Sequence, residues 1–296
     1  MRDKIIYALG FFDGVHLGHQ ALLSACKQLA EKHGCKAAAV TFDLHPETRL
    51  SGAAPKLICR LPDRSRLLMQ FGADTFVGFP FTDSLRKMPW LDFLKMLTEQ
   101  FGAVGFVCGD DFRFGYQGEG NARLLQDYCK QQGLSCAVVP EQTLEGKRIS
   151  STHIRQLLKN GDIETANRFL GHRHILSGLV VEGQMLGRTM DIPTANLDIP
   201  EEVQLPKNGV YACKATTQDG ETYLAVTNIG FRPTVKGDHI TVEAWLLDFD
   251  GYLYGQELTL EFYKFLRAEQ KFDSLEELKA EIQKNAAQTR KIFENS

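Results

Sequence analysis

Residues 4–19 read KIIYALGFFDGVHLGH. An apolar run, Ile5 to Leu9, gives way at once to glycine, an aspartate and two histidines three apart. The run reads as a buried strand. The pattern from Gly18 to His33 reads as a helix. His16 and His19 therefore stand at a helix mouth directly behind a strand, and Gly14 and Gly18 flank the first of them.

The same alternation continues through the first half. Strands are expected at Lys4–Gly10, Lys36–Asp43, Asp74–Pro80, Ala103–Gly109 and Leu134–Pro140. Helices are expected at Gly18–His33, Pro62–Phe71, Pro89–Phe101 and Asn121–Gln132. Runs such as AAAVTF and VGFVCG are apolar throughout, as a sheet covered on both faces requires. Strand–helix repetition predicts an α/β fold with a doubly wound, Rossmann-like parallel sheet. Ligands of such sheets bind beyond the carboxyl ends of the strands. There the chain carries FFDGVHLGH, FDLHPE, GDDFRFG and, opening a helix, ISSTHIR.

After about Gly171 helical periodicity fades. Short strands are expected at Gly178–Glu182, Gly209–Thr217, Thr222–Asn228, Ile240–Leu247 and Glu257–Phe262, separated by Gly, Asp, Asn and Pro turns. That spacing predicts an antiparallel barrel or sandwich. A terminal helix should begin near Ser274, with Ser274 and Glu277 as a capping box. The 296 residues thus divide into two domains, 1–171 and 172–296.

Bulk composition narrows the partners. The net charge is −3, with no basic stripe or tail, which argues against a nucleic-acid binder or a regulator acting on nucleic acid. Seven scattered cysteines without a C-x-x-C argue against a disulfide framework or zinc site and for the cytoplasm. The apolar run near the start is too short to span a membrane.

Each motif has a chemical and a plainer reading. Gly18 lets a ligand approach the backbone, and the positive end of a helix suits an anion. His16 and His19 can donate to phosphoryl oxygens there, or be ordinary turn histidines. Zinc is disfavoured, since H-E-x-x-H and a third ligand are missing. Ser150, Ser151 and Thr152 are caps or phosphate donors, and Arg155, a turn further, can fork onto phosphate or simply face solvent. GDDFRFG offers backbone and carboxylate groups, or is a turn with two buried phenylalanines. In GQMLGRTMDIPTANLDIP, Gly183 and Gly187 permit a phosphate-wrapping loop, and Thr194 and Asn196 are hard oxygen donors suited to Mg²⁺. Read alone, PTAN is a turn leading into a strand. Alternation in ITVEAWLLDF puts Val242 and Ala244 on one face and Glu243 with Trp245 on the other. Glu243 either faces solvent or serves as a base for a hydroxyl.

Taken in order, GFFDGVHLGH, TFDLHP, GDDFRFG and SSTHIR make the first half resemble the HxGH nucleotidyltransferases, and among them the flavin-adenylylating domain of the bacterial bifunctional riboflavin kinase/FAD synthetases. PTANL, NGVYAC, NIGFRPTV, VEAWLLDFDGYLYG and FLRAEQKF make the second half resemble riboflavin kinase. The resemblance implies phosphorylation of riboflavin to FMN and adenylylation of FMN to FAD, with ATP as co-substrate, pyrophosphate released and Mg²⁺ or another divalent ion required. One retained activity beside an accessory domain is the alternative.

It also implies roles for residues. His16 and His19 would stabilise the transition state, and Arg155, Ser151 and Thr152 would hold the triphosphate. Gly10, Phe12, Asp13, Gly18 and Asp110 would contact the nucleotide. Phe42, His45, Pro46, Asp111 and Phe112 would contact the flavin. In the second half Gly183, Gly187, Arg188, Thr194 and Asn196 would bind ATP, the last two with the metal. Asn228, Gly230 and Arg267 would frame riboflavin, and Glu243 would activate its hydroxyl. The implied chain needs no nucleic acid or membrane and is a monomer or weak homo-oligomer. It departs from the family's frequent residues at Phe11 (asparagine), Leu44 (proline), Asp191-Ile192 (Gly-Phe or Gly-Tyr) and Asn285 (aspartate), the last expected to lie away from the chemistry.

Overall fold

The computed structural model describes residues 3–43, 55–183, 192–234 and 237–294. The chain divides into two compact units, Met1–His153 and Ile154–Ser296. His45, Pro46, Gly187 and Arg188, with Leu44 and Asp191, lie outside the described residues.

In the first unit the elements run β1 (Ile5–Leu9), α1 (Leu17–His33), β2 (Lys36–Phe42), α2 (Leu61–Gln70), β3 (Thr75–Phe79), α3 (Asp83–Arg86), α4 (Trp90–Phe101) and β4 (Ala103–Gly109). They continue as β5 (Arg113–Phe114), β6 (Gly120–Asn121), α5 (Ala122–Gln132), β7 (Ser135–Val139), β8 (Thr143–Leu144) and β9 (Lys147–Arg148), and α6 (Ser151–Asn160) begins in this unit and ends in the second. The principal sheet is parallel with order β3-β2-β1-β4-β7. The chain winds one way from β1 and then the other from β4, so the switch point falls between these two strands. Ala37–Val40 are all buried, as a doubly covered strand demands. Leu94, Leu97, Phe106 and Leu125 fill one layer of core against this sheet. Each expected strand and helix of this half is present within a few residues of its expected ends. The single turn α3 and the two small hairpins β5–β6 and β8–β9 were not foreseen; elements of two to four residues carry too little periodicity to read.

In the second unit α7 (Ile163–Leu170) precedes β10 (His174–Val181), β11 (Ala195–Asp198), β12 (Gly209–Thr216), β13 (Thr222–Thr234), β14 (Gly237–Leu246), β15 (Glu257–Arg267) and α8 (Leu275–Glu294). The six strands close as β10-β11-β14-β13-β12-β15. It is a barrel, not a sandwich. β10 starts four residues before its expected position, and β13 and β15 run well past Asn228 and Phe262. Closure extends the ladders through Gly230 and through the polar tail of β15, where sequence alternation is weak. Ser274 caps α8 by accepting from Glu277 N–H at 3.2 Å. The reciprocal bond is shifted: Glu277 accepts from Asp273 N–H at 3.2 Å, so the expected capping box closes one residue early. α8 lies over β12 and β13, where Ala286 meets Val210, Val226 and Leu247.

His174 opens the barrel. Its N–H donates to Asn167 Oδ1 at 2.7 Å, and Asn167 Nδ2 donates to the Phe262 carbonyl at 2.8 Å. Its Nε2 is buried without a partner. Burial, with a smaller effect from His172, lowers its pKa from 6.5 to about 3. Below pH 6.5 the unfolded chain takes up a proton that the folded chain refuses until about pH 3. Stability is therefore full above pH 6.5 and falls by about 1.4 kcal/mol per pH unit below it. Urea unfolding followed through Trp245, in a Trp90→Phe background, should show this slope between pH 7 and 5. His174→Gln should lack it.

Candidate active sites

The first site is assembled where β1 ends. After Leu9 the chain makes a tight 3₁₀ turn over Asp13–Val15, with Phe12 in the left-handed region at φ 58° and fully buried. His16 is the N-cap of α1: its Nδ1 accepts from His19 N–H at 3.3 Å. A nitrogen that accepts carries no proton, so the neutral ring bears its proton on Nε2. The rings of His16 and His19 stack at 3.7 Å and 12°. Burial first, then the charges of His16 and Arg64, hold the pKa of His19 well below the ordinary histidine value. His19 is thus a neutral imidazole. A Cβ on Gly18 would stand 3.2 Å from the His16 ring, so glycine keeps this approach open.

Two cavities meet at this mouth. The smaller, about 230 Å³, is lined by Gly10, His16, Gly18, His19, Asp110, Asp111, Ser150 and Ser151, among others. The larger, about 910 Å³, is aromatic, with Phe42, Phe81, Phe112, Phe114 and Tyr116 on its walls. Leu9, Gly10, Phe11 and Phe112 line both. Phe112 and Phe114 stack at 5.5 Å and 15°. The two walls therefore bring together the end of β2, the residues after β1 and β4 and the start of α6.

Several implied contacts take another form. Phe12 lines neither cavity; its buried ring packs 5.1 Å from His19. The Asp13 carboxylate is buried and accepts from Ile58 N–H at 2.9 Å and Cys59 N–H at 3.3 Å. It braces the loop, while Ser151 Oγ donates to the Asp13 carbonyl at 3.1 Å. Thr152 is exposed and lies on neither wall. Ser150 Oγ caps α6 by accepting from His153 N–H at 3.2 Å. Arg155 follows four residues after Ser151 on the same helix and is buried, not a surface arginine. Asp110 accepts from Glu141 N–H at 3.3 Å, and Asp111 pairs with Arg148.

Sequence reading missed Phe81, Arg86 and Met88 on the larger cavity and Arg148 on the smaller. The first three follow β3, where the rule used for the other strand ends applies equally. Arg148 stands two residues before Ser150.

The second site is a row across the barrel. Asn196 on β11 pairs with Glu243 on β14, and Glu243 with Asn228 on β13. Asn228 pairs with Val210 on β12, and Val210, beside a bulge, with Arg267 on β15. Directly paired residues share a face. Ala195, Thr227, Val242 and Ala244 are buried between them, so the half-buried polar row stands on the outer face that α8 partly covers. A Cβ on Gly183 would overlap the Asn196 carboxamide, and one on Gly230 the Glu269 carboxylate. Thr194 stands two residues before Asn196 and is half-buried. Arg267 Nε donates to Asn285 Oδ1 at 3.1 Å and lies 3.5 Å from Glu281. Asn285 is therefore not remote, as expected, but holds a residue of this row; helix position alone did not reveal the contact.

The chain thus joins an α/β unit with an H-x-G-H helix mouth to a closed barrel that carries a polar row. A FAD synthetase family model matches residues 1–153, and a riboflavin kinase model matches residues 170–293. The chain is 36% identical to the bifunctional riboflavin kinase/FMN adenylyltransferase of Listeria monocytogenes over 97% of its length and 92% of that protein's. It is 36% identical to the Escherichia coli K12 protein of the same name, covering 99% and 94%. The chain belongs to the bifunctional riboflavin kinase/FMN adenylyltransferase family and carries both enzyme domains. A crystal structure described as a macrolide-efflux protein from Streptococcus pneumoniae is also similar, with a TM-score of 0.86 and 28% identity over 98% of this chain and 94% of that one. Among the described residues no helix here is long and apolar enough to cross a membrane.

Proposed function

We propose that the chain makes FAD in two steps, riboflavin to FMN on the barrel and FMN to FAD on the α/β unit, with the working boundary at 171/172. The observation that carries the second step is the wall shared by the aromatic cavity and the histidine-lined cavity. A flavin ring suits the first, and a nucleotide's phosphates suit the second. An FMN phosphate at their junction faces the α-phosphate of ATP.

In that step an FMN phosphate oxygen bonds to the α-phosphorus, and the bond to the bridging oxygen breaks as pyrophosphate leaves. The nucleophile is already anionic and needs no base. Orientation and charge stabilisation remain. His16 Nε2–H and His19 supply donors at the helix mouth, Ser151 and Arg155 hold the triphosphate, and Asp110 and Asp111 contact the nucleotide or its metal. Gly10 and Gly18 leave room for the nucleotide, and Phe42 and Phe112 hold the flavin.

On the barrel, the riboflavin hydroxyl attacks the γ-phosphorus of ATP, its proton passes to Glu243, and ADP leaves. Thr194 and Asn196 offer hard oxygen atoms, and the space that a Cβ on Gly183 would fill lies against Asn196. These residues fit Mg²⁺, which would neutralise phosphate charge there. Asn228, Gly230 and Arg267 frame the riboflavin. All seven cysteines are free, which supports a cytoplasmic location. The reading needs no nucleic acid or membrane and takes a monomer or weak homo-oligomer.

The test is a time course with riboflavin, ATP and Mg²⁺, the flavins separated by chromatography. FMN should appear first and FAD after it. FMN without FAD, also when FMN is supplied directly, would remove the adenylylating role of the first unit.

A further inference from the structure

Among the described residues, one fully buried guanidinium in the first unit, that of Arg64, carries a charge that no carboxylate meets. It donates to Thr41 Oγ1 at 3.1 Å, to the Phe42 carbonyl at 2.8 Å and to the Cys59 carbonyl at 3.5 Å, all neutral acceptors. Its Nε has no partner. The neighbouring acids are engaged elsewhere. Asp63 pairs with Arg60 at 3.4 Å and with Arg66, and Asp13 accepts from Ile58 and Cys59 N–H. Arginine cannot escape by losing its proton, and a buried ion without a counter-charge is strongly disfavoured. Packing alone would be better served by an apolar side chain.

The position of this charge gives it a use. The guanidinium carbon lies 4.2 Å from the centroid of the Phe11 ring, and Phe11 lines both cavities. Thr41, which accepts from Arg64, donates onward to the Phe11 carbonyl at 2.7 Å. Arg64 is also near enough to His19 for its charge to disfavour the imidazolium. The residue lines neither cavity itself.

We propose that Arg64 is a positioning residue for adenylyl transfer: its buried charge is matched by the phosphate oxyanions that arrive where the two cavities meet, and its hold on Phe11 keeps their shared wall in place. This rests on the reading that the first unit joins FMN to ATP. Arg64 acts through its field and through Phe11, without touching the reacting atoms. It also accounts for Phe11 standing where the family often has asparagine: an aromatic face is what a guanidinium stacks on.

Two substitutions in the full-length protein separate charge from hydrogen bonding. Arg64→Lys keeps the charge and loses the fork, whereas Arg64→Gln keeps a donor and loses the charge. The readouts are the shift in thermal unfolding on adding MgATP, kcat and KM for FMN adenylylation, riboflavin phosphorylation as an internal control, and the His19 titration followed by NMR. The lysine variant should keep the MgATP shift and most of the adenylylation. The glutamine variant should lose the part of the shift that the α/β unit contributes, fall roughly 10²-fold in adenylylation and show a raised His19 midpoint, with riboflavin phosphorylation and the barrel's share of the shift unchanged. A glutamine variant that behaves like wild type would overturn the proposal. So would a lysine variant as impaired as the glutamine one, or failure of both to fold, because Arg64 would then serve the fold through its hydrogen bonds. If the wild type makes no FAD, the underlying reading fails, and the MgATP shift alone judges Arg64.

Discussion

Changing His16 to asparagine should lower FMN adenylylation by about 10²–10³-fold, the loss typical of removing one transition-state hydrogen-bond donor, and leave riboflavin phosphorylation unchanged. Asparagine isolates one of the two tasks of His16. The native ring caps α1 through Nδ1, and an asparagine oxygen can accept the same His19 N–H. What disappears is the Nε2–H at the smaller cavity. His16→Ala removes both, so it should add a stability loss of about 1 kcal/mol for the missing cap. Initial rates of the two steps, with thermal unfolding of each variant, separate the effects. Wild-type adenylylation by the asparagine variant would remove His16 from charge stabilisation and leave it a cap.

The complementary result concerns Glu243. Glutamine preserves its shape but cannot receive the hydroxyl proton, so Glu243→Gln should slow riboflavin phosphorylation by about 10²–10⁴-fold. FAD formation from supplied FMN should be unaffected. Asn196 and Asn228, paired with Glu243 on either side, keep their partner's volume in this variant, so a loss of rate reports the proton and not a collapsed row. A variant that phosphorylates riboflavin at the wild-type rate would show that the proton leaves by another route.

Much of this was legible in the sequence because it is local. The turn from Leu9 into α1 lies within one short stretch, and β2 and β4 announce themselves as apolar runs closed by polar residues. The barrel strands were legible as elements, but their lengths were not. Closure decides how far β13 and β15 extend, and closure is a property of six strands together. Asn285 shows the same limit at the site. Its bond to Arg267 spans 18 residues and leaves no periodic trace. Arg64 is the sharpest case. In LPDRSRLL it reads as one more charged residue on a helix, and base rates place arginine at the surface. Only the tertiary fold turns it inward beneath Phe11. Phe12 shows the opposite sense: it stands inside the motif, yet its backbone is left-handed and its ring lies in the core.

The wall common to the two cavities has a bearing on how the product leaves. On the proposed reading, FAD is to this site a pair of ligands tethered together, one half for each chamber. Once one half is seated, the other is presented at an effective concentration on the order of millimolar. Either half alone must let go while its twin still anchors it, so FAD should dwell longer than FMN or ATP. As FAD builds up, release rather than bond-making should come to govern turnover, and the enzyme would be throttled by its own product without needing a separate regulatory site.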